Sequence, residues 1–128
     1  MIRRAASDGG STVIEAVLVI PVFMLLLLIV VQLALWSHAA QVAQLAASTG
    51  DRTARSIGGG PAEGADRARS VLNGPGSDVS SSAVSYSVLP GDLVEITVTG
   101  KAQTVLPGFS LPVSATQVGP IQEFRGSE

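Results

Sequence analysis

The 128-residue sequence predicts an α+β protein with a long N-terminal transmembrane α-helix that extends into an exported region. A short helix and a small antiparallel β-sheet of about three strands follow. Three observations predict this fold class. Residues 16–35 form an apolar run, glycine and proline clusters divide residues 58–76, and apolar and polar residues alternate within residues 77–118. The chain therefore combines a membrane segment with a small mixed domain.

The composition argues against several functional classes. Only 14% of the residues are charged, against about 25% in soluble domains. No cysteine is present, which excludes disulfides, thiol nucleophiles and cysteine-bearing metal sites. One histidine, His38, and dispersed acids offer no catalytic or metal-binding pattern. The net charge of -2 without a basic stripe disfavours nucleic acid. We expect no enzyme activity, metal, cofactor, nucleic acid or small-molecule substrate.

The apolar run at residues 16–35 reads AVLVIPVFMLLLLIVVQLAL, with no charge and one polar side chain, Gln32. As a helix it spans about 30 Å, the thickness of a bilayer core. Cleaved signal peptides usually have an apolar region of about 7 to 15 residues, although a secreted protein cut near Ala39 remains an alternative. Arg3 and Arg4 precede the run, so we expect a single-pass protein with a cytoplasmic N-terminus and an extracytoplasmic C-terminus.

Glu15 lies at the head of the apolar run. A carboxylate inside a membrane segment costs about 2 to 3 kcal/mol on insertion scales, so it normally has a partner or a function. Alternatively, Glu15 marks the edge of the membrane or interacts with the positive end of the helix dipole. Gly9 and Gly10 precede Ser11, so a cut after Gly10 would place Glu15 fifth in the mature chain.

This segment, from Gly10 to Phe23, resembles the TadE-like family of minor pseudopilins from tight-adherence (Flp-type) pili, which carry the class III signal of type IV pilin-like proteins. Gly10, Glu15 and Pro21 are the most specific elements, and the resemblance extends from Gly9 to about Arg52. One departure is Ala16, because many TadE-like members have phenylalanine there.

The resemblance implies a processing site and an assembly residue. Residues 1–10 would be a cytoplasmic leader that a prepilin peptidase removes between Gly10 and Ser11. Glu15 would pair with the free amine of a neighbouring pilin or pseudopilin subunit. The further partners implied are an inner-membrane assembly platform and membrane lipid. The protein would reside in the cytoplasmic membrane, and its incorporation into an extracellular pilus is left open.

A rival hypothesis is a single-pass, signal-anchored envelope protein with an exported binding domain and no role in a filament. It predicts an uncut N-terminus and no effect of replacing Glu15.

The long helix, expected over residues 11–57, carries two further candidate residues. Pro21 removes an amide donor, so we expect it to kink the helix rather than break it. Trp36 suits an anchor at the outer membrane interface. Beyond the membrane, small residues recur at three- and four-residue steps. This narrow face is equally suited to packing on the chain's own exported domain or on another subunit. Its members are Ala39, Val42, Ala43 and Ala46.

The exported region is divided by turn signals. Gly58–Pro61 should end the long helix, and a short helix should begin at Pro61 and end before residues 73–76. Alternating residues predict strands around residues 84–88 and 94–98, joined at Pro90-Gly91-Asp92, and a third strand at residues 111–118 after a turn at Leu106-Pro107-Gly108. Residues 119–128 are expected to form a tail.

Overall fold

The computed structural model describes residues 2–56 and 58–121, with side chains described from residue 10 onward. Helix α1 is followed by a shorter helix, α2, and by strands β1, β2 and β3. The sheet is antiparallel with the order β1-β2-β3. The predicted fold class is therefore confirmed. The elements are α1 Ile2–Arg55, α2 Pro61–Leu72, β1 Val79–Leu89, β2 Leu93–Ala102 and β3 Pro112–Pro120.

Helix α1 is about 80 Å long at 1.5 Å per residue, so it extends far beyond the domain that α2 and the sheet form with its C-terminal part, which we call the C-terminal domain. Its N-terminal part includes residues that the sequence analysis assigned to the leader. The helix ends at Arg55, just before the glycines that were expected to end it. Helix α2 begins with Pro61 at its first turn, where the missing amide costs no hydrogen bond. Leu72, which closes α2, is buried.

The strands present one apolar face to the helices. Val94, Ile96 and Val98 alternate along β2 and are fully buried, as the sequence pattern predicts. Val113 and Ala115 of β3 lie beside them and are also buried. The opposite face is largely polar and exposed. The core of the domain is therefore a single layer between this sheet face and the helices.

Strand β1 is longer than the alternation predicts. It begins at Val79 within the serine-rich segment, and the pairing register with β2 shifts between Ser80 and Ala83. Ser81 lies in this irregular stretch with a φ of 50°. A bulge of this kind interrupts the two-residue period, so the hydrophobic pattern does not reveal the strand start.

The third strand also extends further than expected. It runs from Pro112 to Pro120, so Gly119 and Pro120 pair with β2 rather than forming part of a tail. The Ile121 amide donates to the carbonyl of Asp92 at 2.8 Å, which fixes the end of the strand. Residues 122–128 of the expected tail lie outside the described residues.

The small-residue face of α1 packs on the chain's own C-terminal domain. Ala39, Ala43, Ala46 and Ala47 have no exposed surface, and they belong to the same apolar core as the buried residues of β2. Of the two alternatives for this face, the structure shows the intramolecular one. Alanine side chains let the helix backbone approach the sheet closely.

Candidate functional site

The apolar part of α1 that precedes the C-terminal domain is uncovered. We call residues Val13–Val31 the apolar surface. Apart from Ala16, which is half-buried, every residue in it is exposed. The exposed fractions of its large hydrophobic side chains run from 39% at Ile29 to 66% at Val17. It measures about 28 Å along the helix axis. This helix is long and apolar enough to cross a membrane, and it fits a single-pass anchor.

The predicted processing and assembly residues lie at the N-terminal end of the apolar surface. Gly10, Ser11 and Glu15 are all exposed and all belong to the continuous helix α1. Ser11 and Glu15 are four residues apart, so they share one face of the helix. Within residues 10–56 and 58–121, Glu15 takes part in no salt bridge. The carboxylate of Glu15 is therefore exposed on the surface of the helix.

Pro21 is exposed inside α1, and the helix continues through it. The proline has no amide to donate to the carbonyl of Val17. The absence of a break agrees with the expectation from the sequence, and the kink itself stays a prediction.

Gln32 links the apolar helix to the C-terminal domain. It is 3% exposed, although it is the one polar residue of the apolar run. Its Nε2 donates to the carbonyl of Gln103 at 3.0 Å, and its Oε1 accepts from the amide of Val105 at 2.9 Å. Both partners lie in the loop between β2 and β3, residues 103–111, which we call the β2–β3 loop. The sequence signal was this lone polar side chain, whose role the sequence analysis did not identify.

Trp36 and His38 continue the contacts between α1 and the domain. Trp36 is 41% exposed, and its Nε1 donates to the carbonyl of Pro112 at 3.3 Å. Its role as a membrane-interface anchor stays a prediction. His38 is exposed, with Nε2 2.9 Å from the carbonyl oxygen of Gly76 and 3.9 Å from Oδ2 of Asp78.

A buried ion pair lies on the domain side of α1. Nη2 of Arg55 is 3.0 Å from Oδ2 of Asp51, whose side chain is 7% exposed. Oδ1 of Asp51 and Nε of Arg55 are buried without a hydrogen-bond partner. A Cβ at Gly119 would fall within 2.9 Å of both side chains, so glycine is what lets β3 pass so close. In the sequence this pair is visible only as an acid and a base four residues apart, and it was not predicted.

Among the described residues, no group of three or more histidine, aspartate or glutamate side chains is placed to hold a metal ion. The features brought together are an uncovered apolar helix, a carboxylate at its head and a loop held against its other end. Such an arrangement suits insertion in lipid and packing against other helices.

The comparisons with known proteins agree with these features. Residues 10–52 match the family model described as TadE-like protein. The match covers about a third of the chain, and it contains Gly10, Glu15, Pro21 and the whole apolar surface. The resemblance predicted from those residues is thereby confirmed. Neither the curated proteins nor the solved structures contain a match to the chain. TadE-like proteins are structural components associated with Tad pili rather than a known enzyme family.

Proposed function

We propose that this TadE-like chain is a minor pseudopilin of a tight-adherence (Flp-type) pilus or a related secretion apparatus. In this proposal a prepilin peptidase cuts between Gly10 and Ser11, and the processed helix enters an assembly of pilin or pseudopilin subunits on an inner-membrane platform. The observation that carries the proposal is the combination of a family match that begins at residue 10 with an uncovered apolar surface headed by Glu15.

Processing needs an accessible peptide bond. Gly10 and Ser11 are exposed, and a Cβ at Gly10 would meet nothing within 4 Å. Two consecutive glycines also lower the local helix propensity by about 1 kcal/mol each relative to alanine. The helix is therefore easiest to open where the peptidase must bind an extended segment.

Assembly then uses the carboxylate of Glu15. A free α-amine at Ser11 is cationic near neutral pH, and it lies one helical turn from Glu15 in the same chain. In a bundle of such helices, the amine of a neighbouring subunit becomes an alternative partner. An unpaired carboxylate is costly in lipid, so this pairing favours one axial offset between neighbouring helices.

The apolar surface supplies the packing energy in this proposal. Before assembly it faces lipid, and in the assembly it faces the equivalent helices of other subunits. Leucine and valine side chains gain no hydrophobic driving force on leaving lipid, so close van der Waals packing and polar pairs must stabilise the bundle. Glu15 is the residue placed to provide the polar pair.

Replacing Glu15 tests this role. We expect Glu15→Ala and Glu15→Gln to insert in the membrane normally but to abolish or sharply reduce the protein's incorporation into pili, in cells that carry the tight-adherence machinery. Glu63→Ala is the matched control, because Glu63 is an exposed acid on α2, away from the apolar surface. Incorporation of the Glu15 variants at the normal level would contradict the proposal and favour the signal-anchored envelope protein.

A further inference from the structure

The β2–β3 loop lies against the apolar helix, on the membrane side of Gln32. Its tip and the helix enclose an open groove of about 510 Å³. No polar side chain lines this groove. The lining residues are Leu25, Leu28, Ile29, Leu106, Pro107 and Phe109.

The position of this groove along the helix determines how deep in the bilayer the groove lies. Leu25 and Ile29 precede Gln32 by seven and three residues, which is about 10 Å and 5 Å along the axis. Both belong to the apolar surface. If that surface spans the bilayer with Gln32 at its outer boundary, the loop tip lies about 5 to 10 Å inside the outer leaflet. This is the depth at which interfacial apolar segments are usually buried.

The chemistry of the loop fits that depth. No charged residue occurs between Lys101 and Glu123. Phe109 is 60% exposed and Val105 is 41% exposed. Exposed aromatic and aliphatic side chains at the tip of a water-facing loop are unfavourable, whereas in lipid the same side chains are stabilised.

Part of the backbone of the loop is hydrogen-bonded, which lowers the free-energy cost of placing it in lipid. Unpaired peptide groups cost several kcal/mol each in hydrocarbon. Gln32 pairs with the carbonyl of Gln103 and with the amide of Val105. The amide of Phe109 donates to the carbonyl of Leu106 at 3.3 Å. Pro107 has no amide to satisfy.

We propose that Leu106–Phe109 form a second membrane-inserting element, which enters the outer leaflet beside α1 with lipid acyl chains filling the groove. Gln32 sets the depth of the loop. The exported domain is then held at the membrane surface by two elements, the helix and the loop. This inference rests on the membrane-anchor part of the proposed function and is independent of processing and of pilus assembly.

Because the chain has no cysteine, single cysteines can report depth at chosen sites. We would attach a nitroxide to Leu106→Cys and to Phe109→Cys, in nanodiscs of phosphatidylethanolamine and phosphatidylglycerol that hold one chain each. Leu27→Cys, within the apolar surface, is the lipid reference. Val88→Cys is the water reference, because Val88 is 58% exposed on β1. Power-saturation electron paramagnetic resonance gives the collision ratio of oxygen to a water-soluble nickel complex at each site.

At both loop sites we expect a collision ratio several-fold higher than at position 88 and close to that at position 27. A ratio at positions 106 and 109 equal to that at position 88 would overturn the proposal. It would also be overturned if the high ratio appeared only with two chains per nanodisc, together with dipolar broadening between labels, because a second copy would then fill the groove. Because the two loop sites are labelled separately, the result does not depend on the loss of one native side chain.

Discussion

Gly50 of α1 and Gly64 of α2 lie against each other where the two helices cross. A Cβ built on Gly50 would be 2.7 Å from the carbonyl oxygen of Gly64, and a Cβ built on Gly64 would be 2.5 Å from that of Gly50. Cδ1 of Ile96, from the centre of the sheet, lies 2.9 Å from the second of these positions. The crossing therefore places two helix backbones and one strand side chain in direct contact.

Gly64→Ala should destabilise the C-terminal domain, even though alanine is the better helix former by about 1 kcal/mol. The added methyl meets backbone rather than a movable side chain, so the helices must separate. We expect a net loss of about 2 kcal/mol in the free energy of unfolding. Hydrogen exchange of the β2 amides in nanodisc-embedded protein measures this loss.

The matched control for Gly64→Ala is Gly60→Ala. A Cβ at Gly60 meets nothing within 4 Å, so this change should cost less than about 1 kcal/mol, as the loss of a favourable helix N-cap. If the β2 amides were equally protected from hydrogen exchange in the wild type and in Gly64→Ala, the crossing of α1 and α2 would not be tightly packed.

Gln32→Met should release the β2–β3 loop from α1. Methionine keeps the length of the side chain but leaves the amide of Val105 and the carbonyl of Gln103 without their partner. An unsatisfied buried group costs about 1 to 3 kcal/mol. We expect the Val105 amide to exchange at least about tenfold faster, which corresponds to about 1.4 kcal/mol, while the central β2 amides keep their protection.

Gln41→Met is the corresponding control for Gln32→Met, because Gln41 is an exposed glutamine on the same helix. It should leave exchange at Val105 unchanged. Unchanged exchange at Val105 in Gln32→Met would mean that the loop is held by its apolar side chains alone.

Arg55→Met should destabilise the domain more than the loss of an ordinary surface charge. It leaves the carboxylate of Asp51 buried without its cation, and breaking a buried pair in this way costs about 3 kcal/mol. We expect a smaller loss, about 2 kcal/mol, because the Arg55 side chain is 33% exposed. Exchange of the β3 amides near Gly119 reports the effect.

Two further variants identify the cause of the Arg55 effect. Arg52→Met removes an exposed arginine one turn earlier and should have little effect. Asp51→Leu combined with Arg55→Met should recover part of the stability, since no charge is then buried unpaired. A double variant as unstable as the sum of its single changes would contradict the electrostatic explanation.

The sequence was sufficient to predict the elements whose signals are local. The length of residues 16–35 predicts the membrane helix, Pro61 marks the start of α2, and the alternation of Val94 to Val98 predicts β2. Gly10, Glu15 and Pro21 suggested the resemblance to TadE-like proteins, and all three lie within the matched residues 10–52.

The sequence was insufficient where a role depends on residues far apart in the chain. Gln32 is separated by more than seventy residues from its partners in the β2–β3 loop. The contact of Gly64 with Gly50 exists only after the two helices cross, so it leaves no local signal in the sequence. Ser81 disrupts the period of β1, so the strand start could not be read from alternation.

The N-terminus of the mature protein tests the central claim most directly. Mass spectrometry of the protein purified from cells that contain a prepilin peptidase should identify Ser11 as the first residue. Cells without the peptidase should yield the uncut chain. Gly10→Val should also remain uncut, because it adds bulk at the scissile bond without a clash in the fold. A retained leader in the presence of the peptidase, or a mature chain that begins at Ala39 or beyond, would contradict the account.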